Sequence, residues 1–471
     1  MDNAGEEEIP VDKPSKPTGG GPWASRPGSE AHGAPPVGLE GRSRVVLSTF
    51  RSLRHRNYRL YFFGQLISLL GTWMQNTALS WLAYEITGQS KWPAFISAAQ
   101  ILPTFLLGPW GGALADRWPK RPLIFWMQAA FLVLALLLAW LVLHGAVQPW
   151  QLLLVTAATG LVTAIDLPAR LSFVMDMVGR DDLTNAVALN SLLFNSARAF
   201  GSLLAGWLMI RFGAGQCFLA NAVSYLFVLL ALSKMDISGM PAARASEIRR
   251  PKSEIQNGAG RLSFRISTLD FRILFDGFRY LAARRDLVFL ILLAGSTAFW
   301  GWPFLSLLPA LAVQFGHGAQ GTAWLFSGVG VGALAAALTV ATFGLPNRSW
   351  AFITVGVVLV VTGMLGLALA PEIFTAVIFA ALIGFGLILF LATSQSVFQL
   401  SSEEHNRGRV MAIWAMVLSG AVPLGNFLAG PAADEWGLSP VLAFLGIACG
   451  LVPMGLLWLL RPWQQAPRKE D

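Results

Sequence analysis

Apolar runs of roughly twenty residues recur along the whole of this chain after residue 58, and each is long enough to cross about 30 Å of hydrocarbon as a helix. Lipid offers the backbone no hydrogen bonds, so a spanning segment is either a helix or part of a closed barrel, and long runs without alternation exclude the barrel. The sequence therefore predicts an all-α membrane protein. Composition agrees: of 471 residues, 55% are hydrophobic and 13% charged, against about 25% charged in an ordinary soluble domain.

Twelve spans are placed at about 60–83, 93–115, 122–143, 149–170, 186–210, 214–233, 287–313, 321–343, 350–369, 373–399, 409–433 and 438–460. Residues 1–41, rich in Pro, Gly and acidic groups, are too polar to fold or to act as a signal peptide and read as a disordered cytoplasmic tail. Residues 42–59 carry Arg42, Arg44, Arg51, Arg54, Arg56 and Arg59 and no acidic residue, a cytoplasmic anchor by the positive-inside rule. With the N-terminus inside, the outward connections hold only Lys91 and Arg211 among basic residues, while Arg117, Lys120, Arg121, Arg170, Arg180, Arg348, Arg407 and Arg409 fall on inward ones. The net charge of +8 is thus a matter of topology and implies no nucleic-acid partner.

The polar connection 234–286 divides the chain into six-span groups at 60–233 and 287–460, with a second cytoplasmic tail at 461–471. Within the connection, Phe271 to Leu281 reads either as an interfacial amphipathic helix or as a solvated linker. The two groups echo each other. Gly201–Gly206 reads G-S-L-L-A-G and Gly425–Gly430 reads G-N-F-L-A-G, each followed at the same distance by an aromatic-glycine pair, Phe212-Gly213 and Trp436-Gly437. Matching spans of matching direction imply parallel repeats about an axis along the membrane normal; chance recurrence in Gly-rich helices is the alternative.

Between the second and third spans, Gly112 to Ile124 reads G-A-L-A-D-R-W-P-K-R-P-L-I. This resembles the signature loop of the major facilitator superfamily at Gly112, Leu114, Ala115, Asp116, Arg117, Lys120 and Arg121, with Pro119 where the pattern has Gly. A carboxylate near the end of one helix can dock on the N-terminus of another, where unpaired N–H groups carry about half a positive charge. In the family such a contact latches the cytoplasmic side, and the resemblance sets Asp116 against Asn406 to Arg409. The gate is thus expected to comprise Gly112, Asp116, Arg117, Lys120, Arg121, Asp166, Arg170, Arg407 and Arg409. A second likeness, D-L-P-A-R from Asp166 through N-A-V-A-L-N-S-L-L-F-N-S-A-R to Arg198, with G-T-W-M-Q in the first span and R-G-R-V-M in the eleventh, resembles the subfamily of enterobactin exporters and drug:proton antiporters over about Phe50 to Trp436.

Arg198 stands near the middle of the fifth span and needs compensation there; Asp166 is its nearest acidic candidate in topology. The antiporter pattern of that helix is partial, with Ser202 where a proline would stand. Asp166 and Asp116 are the inward carboxylates able to carry a proton. Gln65, Trp73, Gln75, Asn76, Gln100, Asn190, Asn195, Trp300, Trp302, Gln395, Gln399 and Asn426, together with Asp166 and Arg198, are candidate lining of a path for a large amphipathic solute. Each alone serves equally as an interhelical tie. Cys217 and Cys449 lack metal or disulfide spacing and read as packing residues. No zinc-protease, nucleophile-elbow or P-loop motif occurs, so neither an enzyme nor a cofactor is expected.

The expected function is secondary active transport in the cell inner membrane, both termini cytoplasmic. The leading form is proton-coupled export, by alternating access, of a small siderophore, drug or related amphipathic metabolite, carried out by a monomer. A facilitator, importer or lipid-handling transporter of the same fold, or a transporter-derived receptor, is the alternative.

Overall fold

A computed structural model of the chain describes residues 51–145, 147–236, 271–343, 349–403 and 406–460. The tails at 1–41 and 461–471, the first half of the 42–59 segment, the middle of the connection, Arg180's side chain and Arg348 lie outside the described residues. What is described is nearly all helical. A 3₁₀ turn (Arg51–Arg54) leads into α1 (Arg56–Glu85), α2 (Lys91–Arg117), α3 (Lys120–Leu143), α4 (Pro149–Phe212) and α5 (Ala214–Ser233). Beyond the undescribed stretch come α6 (Phe271–Ala283), α7 (Arg285–Gly301), α8 (Phe304–Gln314), α9 (Gly318–Phe343), α10 (Ser349–Ala368), α11 (Ile373–Ser401), α12 (Arg407–Trp436) and α13 (Leu438–Leu460).

Among the described residues nine helices are long and apolar enough to cross a membrane. α1, α2 and the second arm of α4 are just as long, but polar groups such as Gln65, Gln75, Asn76, Gln100, Asn195 and Arg198 lower their hydropathy. α4 is two arms joined at Gly179, whose φ of 73° and ψ of −177° interrupt the helix. Its first arm, Pro149–Gly179, is one of the nine. The seventh predicted span is likewise broken, with α8 starting after Pro303 at the end of α7. Outward-facing tryptophans gather near helix ends. Trp118 and Trp126 flank the start of α3, while Trp140, Trp150 and Trp436 lie at the end of α3, the start of α4 and the end of α12, as expected of rings seated at two membrane interfaces.

α6 is a helix rather than an irregular linker, and its Gly277 and Leu281 face inward. A Cβ at Gly277 would meet Ile413 and Arg409 of α12, and Leu281 joins a core cluster with Leu287, Ile413 and Trp414. Phe278 and Arg279 stay exposed.

The repeated glycine motifs perform matching jobs. A Cβ at Gly201 would lie 2.6 Å from the Leu70 carbonyl oxygen of α1, and one at Gly425 would strike the Phe299 carbonyl of α7. Five residues on, Gly206 abuts Ala323 of α9, and Gly430 abuts Ala94 and Lys91 of α2. Small residues thus let two backbones approach from each side. The aromatic-glycine pairs match as well: Gly213 (φ 85°, ψ 168°) turns α4 directly into α5, and Gly437 (φ 87°, ψ 162°) turns α12 into α13. That conformation is open essentially to glycine alone, and a side chain there costs about 1–3 kcal/mol. Gly213→Ala is therefore expected to lower the thermal unfolding midpoint of the protein in detergent; an unchanged midpoint refutes the assignment.

Candidate functional site

Two seams join the early helices to the late ones, and both are antiparallel. In the first, α2 and α12 meet at Ser90 and Asp434, at Ala94 and Gly430, at Ser97 and Asn426, and at Phe105 and Gly420. The contacts step up one helix as they step down the other. In the second, Gly330 of α9 packs against Ala199 of α4, and Ala323 against Gly206.

The α2–α12 seam carries polar ties at one end. The carboxylate of Asp434 accepts the backbone N–H groups of Ser90 (2.6 Å) and Lys91 (3.1 Å), one on each oxygen. These are unpaired donors of the first turn of α2, where the helix dipole also favours an anion. Two turns along, Asn426 donates to the Ser97 hydroxyl at 3.2 Å and accepts from Ser306 at 3.1 Å. An open cavity of about 490 Å³ adjoins this end, lined in part by Tyr84, Ser90, Gln314, Asp434 and Ser439. At the other end of the same helices, the space beside Gly108, Gly112 and Gly408 is empty for 4 Å, and Arg117 and Arg407 are exposed. The helices meet at the Asp434 end and part at the end that carries the signature loop.

Two basic residues of that loop, Lys120 and Arg121, bind within the early helices. Lys120 pairs with Asp176 of α4 at 2.7 Å. Arg121 donates to the Leu232 and Ser233 carbonyls, capping the last turn of α5. Arg407 donates to the Gln399 carbonyl at 3.2 Å, and Arg409 is half-buried beside Gly277. The side chain of Asp116 lies outside the described residues.

Asp166 is fully buried and forms an ion pair with Arg170, one turn along the same helix, at 2.7 Å. Gln128 of α3 donates to its other oxygen at 3.1 Å. Arg170 in turn donates to Gln65 of α1 at 3.1 Å, and the hydroxyls of Tyr61 and Tyr225 lie within its electrostatic reach. One ion pair thus ties α1, α3 and α4. Asp166, the nearest acidic candidate for Arg198 in topology, pairs with Arg170 instead. Asp166 sits nearer the broken end of the first arm, where Arg170 on its own helix reaches it first.

Arg198 instead lies with its guanidinium 4.5 Å over the Trp73 ring and 5.6 Å from Phe194. It is 8% exposed, and its Nε has no hydrogen-bond partner. A charge in mid-span costs about 2.5–3.5 kcal/mol, and stacking on an aromatic face returns about 0.5–2 kcal/mol, so aromatic contact alone leaves the guanidinium undercompensated. Nearby, Trp73 Nε1 and Asn195 Oδ1 are also buried without partners, although Asn195 donates to the Ser191 carbonyl. Gln100 of α2 reaches Asn76 of α1 at 3.4 Å.

The other predicted lining residues divide. Gln75 is a tie, accepting from Asn221 of α5 at 2.8 Å. Trp300 packs on Phe444, whereas Trp302 lines a small apolar cavity with Thr297, Phe390 and Val422. Gln395 and Gln399 are half-buried and Asn190 is exposed.

A further cluster lies where α4 resumes after Gly179. The Asp182 carboxylate forms ion pairs with Arg51 at 2.8 Å and Arg54 at 2.9 Å and is hydrogen-bonded to His55 at 2.7 Å, and Ser52 is fastened to the Asp182 carbonyl and to Asn185. The basic stretch before α1 is therefore clamped to the α4 break. The hydrogen bond from His55, and then the charges of Arg51 and Arg54, hold the Asp182 carboxyl below the ordinary carboxylate range. A carboxyl lowered in the folded state stabilises it fully above its unfolded pKa, near 3.9, and that contribution is lost as pH falls through the lowered folded value. A nitroxide at position 56 is thus expected to stay immobile at neutral pH and to loosen only in strong acid, while Asp182→Asn loosens it already at pH 7. Equal mobility of the two proteins at pH 7 would dispose of the clamp.

The sequence profile of the family described as transmembrane secretion effector matches residues 47–468. The staphyloferrin A transporter of Staphylococcus aureus is 23% identical over 408 residues, covering 86% of this chain and 96% of the relative. Macrolide efflux protein A of Streptococcus pyogenes is 21% identical over 82% of this chain and 92% of its own length. The multidrug efflux pump Tap of Mycobacterium tuberculosis is 22% identical over 86% and 93%. Among solved structures, the backbone resembles a bacterial homologue of the human lysosomal transporter Spinster in an inward-facing, unoccupied conformation, with a TM-score of 0.61 and 14% identity over 87% of this chain and 99% of that one. It also resembles an auto-inhibited POT family peptide transporter, with a TM-score of 0.63 and 13% identity over 88% and 99%. With a family match across nearly the whole chain, on a helical membrane fold shared with solved transporters, the protein belongs to the transmembrane secretion effector family of major facilitator transporters.

Proposed function

We propose that this chain exports a small amphipathic solute against protons by alternating access. Twelve spans form two parallel six-helix halves, and both termini lie on the cytoplasmic side of a bacterial inner membrane. The observation that carries the reading is the one-ended closure of the α2–α12 seam, tied at Asp434 and Asn426 and parted at Gly108, Gly112 and Gly408. A wall that closes at one end and opens at the other is what a rocking transporter needs.

The matched roles of Gly201 and Gly425, and of Gly206 and Gly430, support the repeat. Carried further along the helices, the register that pairs Ser90 with Asp434 sets Asp116 opposite Gly408 on the first turn of α12. On this reading the inward-open state is held at the periplasmic end by Asp434 on α2. The outward-open state is held at the cytoplasmic end by Asp116 on α12, the same kind of contact with donor and acceptor helices exchanged. The names of the efflux relatives support the direction, and the buried Asp166–Arg170 pair supplies a protonatable carboxylate within the bundle.

The test is uptake of macrolides and dyes by everted vesicles under an imposed pH gradient. Accumulation should follow the gradient and collapse when it is dissipated; accumulation indifferent to it removes the coupling.

A further inference from the structure

We infer that the patch formed by Trp73, Asn195 and Arg198, with Asn76 and Gln100 beside it, is a binding station for a carboxylate group on the transported solute. The inference rests on the efflux reading above and names the chemistry of its cargo.

Trp73 and Asn76 lie three residues apart on α1, and Asn195 and Arg198 three apart on the second arm of α4, so each pair occupies one helix face. Gln100 of α2 closes on Asn76, so three packed helices present polar groups at one level. That level is mid-span: Arg198 stands nineteen residues after the helix break at Gly179 and fourteen before the last helical residue, Phe212. It is also at the edge of the seam, since the next residue, Ala199, is where Gly330 of α9 packs.

Three atoms in the patch are buried with no partner: the Arg198 Nε and Trp73 Nε1 donors and the Asn195 Oδ1 acceptor. Among the described residues no carboxylate forms an ion pair with Arg198, and the nearest sequence candidate, Asp166, is occupied by Arg170. A buried guanidinium stacked on an indole is held flat and oriented, so the planar fork that binds carboxylates two-pronged is prepared in advance. The Trp73 N–H offers a further donor, and Asn195 can accept from a hydroxyl or amide adjoining the anion. The surrounding aromatic faces of Trp73 and Phe194 suit the apolar part of an amphipathic acid. A cationic drug would meet repulsion at the same place.

The test compares carboxyfluorescein, an anionic amphipathic dye, with ethidium, a cationic one, in proteoliposomes holding the full-length wild type, Arg198→Gln or Arg198→Lys, with each protein's unfolding midpoint recorded. The wild type should carry carboxyfluorescein saturably. Arg198→Gln should slow its initial rate at least tenfold with the midpoint held, and Arg198→Lys, which keeps the charge without the fork, should fall between. Equal loss of both dyes in Arg198→Gln would make the residue a structural tie and overturn the assignment, as would undiminished carboxyfluorescein flux. A wild type that carries ethidium alone also overturns it while leaving transport standing; one that carries neither dye counts against both readings.

Discussion

On the alternating-access reading proposed above, Asp434→Ala is expected to shift the resting protein away from the state seen here, by about tenfold in the ratio of the two access states. The carboxylate receives two backbone N–H groups at the head of α2, and hydrogen bonds to a charged group contribute about 1.5–3 kcal/mol each when well shielded. Asp434 is exposed, so solvent competes and about 1–1.5 kcal/mol for the whole contact is the reasonable figure; 1.36 kcal/mol is a factor of ten. On the same reading the tie is made only while the α2–α12 seam is shut at this end, so its loss should act on the conformational balance more than on folding. Asp434→Asn keeps one acceptor oxygen and should produce a smaller shift. Distances between nitroxide pairs spanning the ends of α2 and α12 report the populations directly. A distribution unchanged in Asp434→Ala would mean that the contact is incidental.

Which parts of this arrangement were legible in the amino-acid string follows from how far each signal reaches. The paired motifs Gly201–Gly206 and Gly425–Gly430 were readable because close helix packing demands small residues at fixed spacing, and the structure places both pairs in matching roles. Phe212-Gly213 and Trp436-Gly437 were readable because only glycine takes the turn they make. Partnerships were less legible. Arg198 announced its need for compensation, but an aromatic face leaves no charge signature, and Trp73 and Phe194 look like ordinary interior rings. Gln128 and Asn221, lone polar residues within apolar runs, each make a tie between helices, and their isolation among apolar neighbours is the sequence signal for it. Asp182 and Asp434 gave less warning, since both lie at helix ends where acidic residues are common, and their roles depend on residues more than a hundred positions away. The basic stretch at Arg51 and Arg54 reads as a membrane anchor by composition, whereas the fold engages both side chains with Asp182.

Asp166→Asn is expected to have the largest effect of any single substitution in the bundle, on stability and on coupling together. It leaves Arg170 without its counter-charge, and breaking a buried pair by removing one partner costs about 3–5 kcal/mol. The Arg170 side chain keeps 24% of its surface, which places the expected loss at the low end of that range. The Gln128 bond survives in principle, because an asparagine oxygen can still accept it. Stability alone cannot reveal a proton carrier, so the informative comparison is Asp166→Asn with Arg170→Gln added. Removing both charges relieves the stranded guanidinium and should restore most of the unfolding midpoint, since contacting partners are non-additive. It should not restore transport driven by a pH gradient, because no group at that position can then exchange a proton. Solute exchange across the membrane without a gradient should persist in the double variant, since exchange needs rocking but no net proton movement. Recovery of both stability and gradient-driven uptake in that variant would reduce the pair to a structural brace among α1, α3 and α4 and send the search for the proposed coupling carboxylate to Asp116.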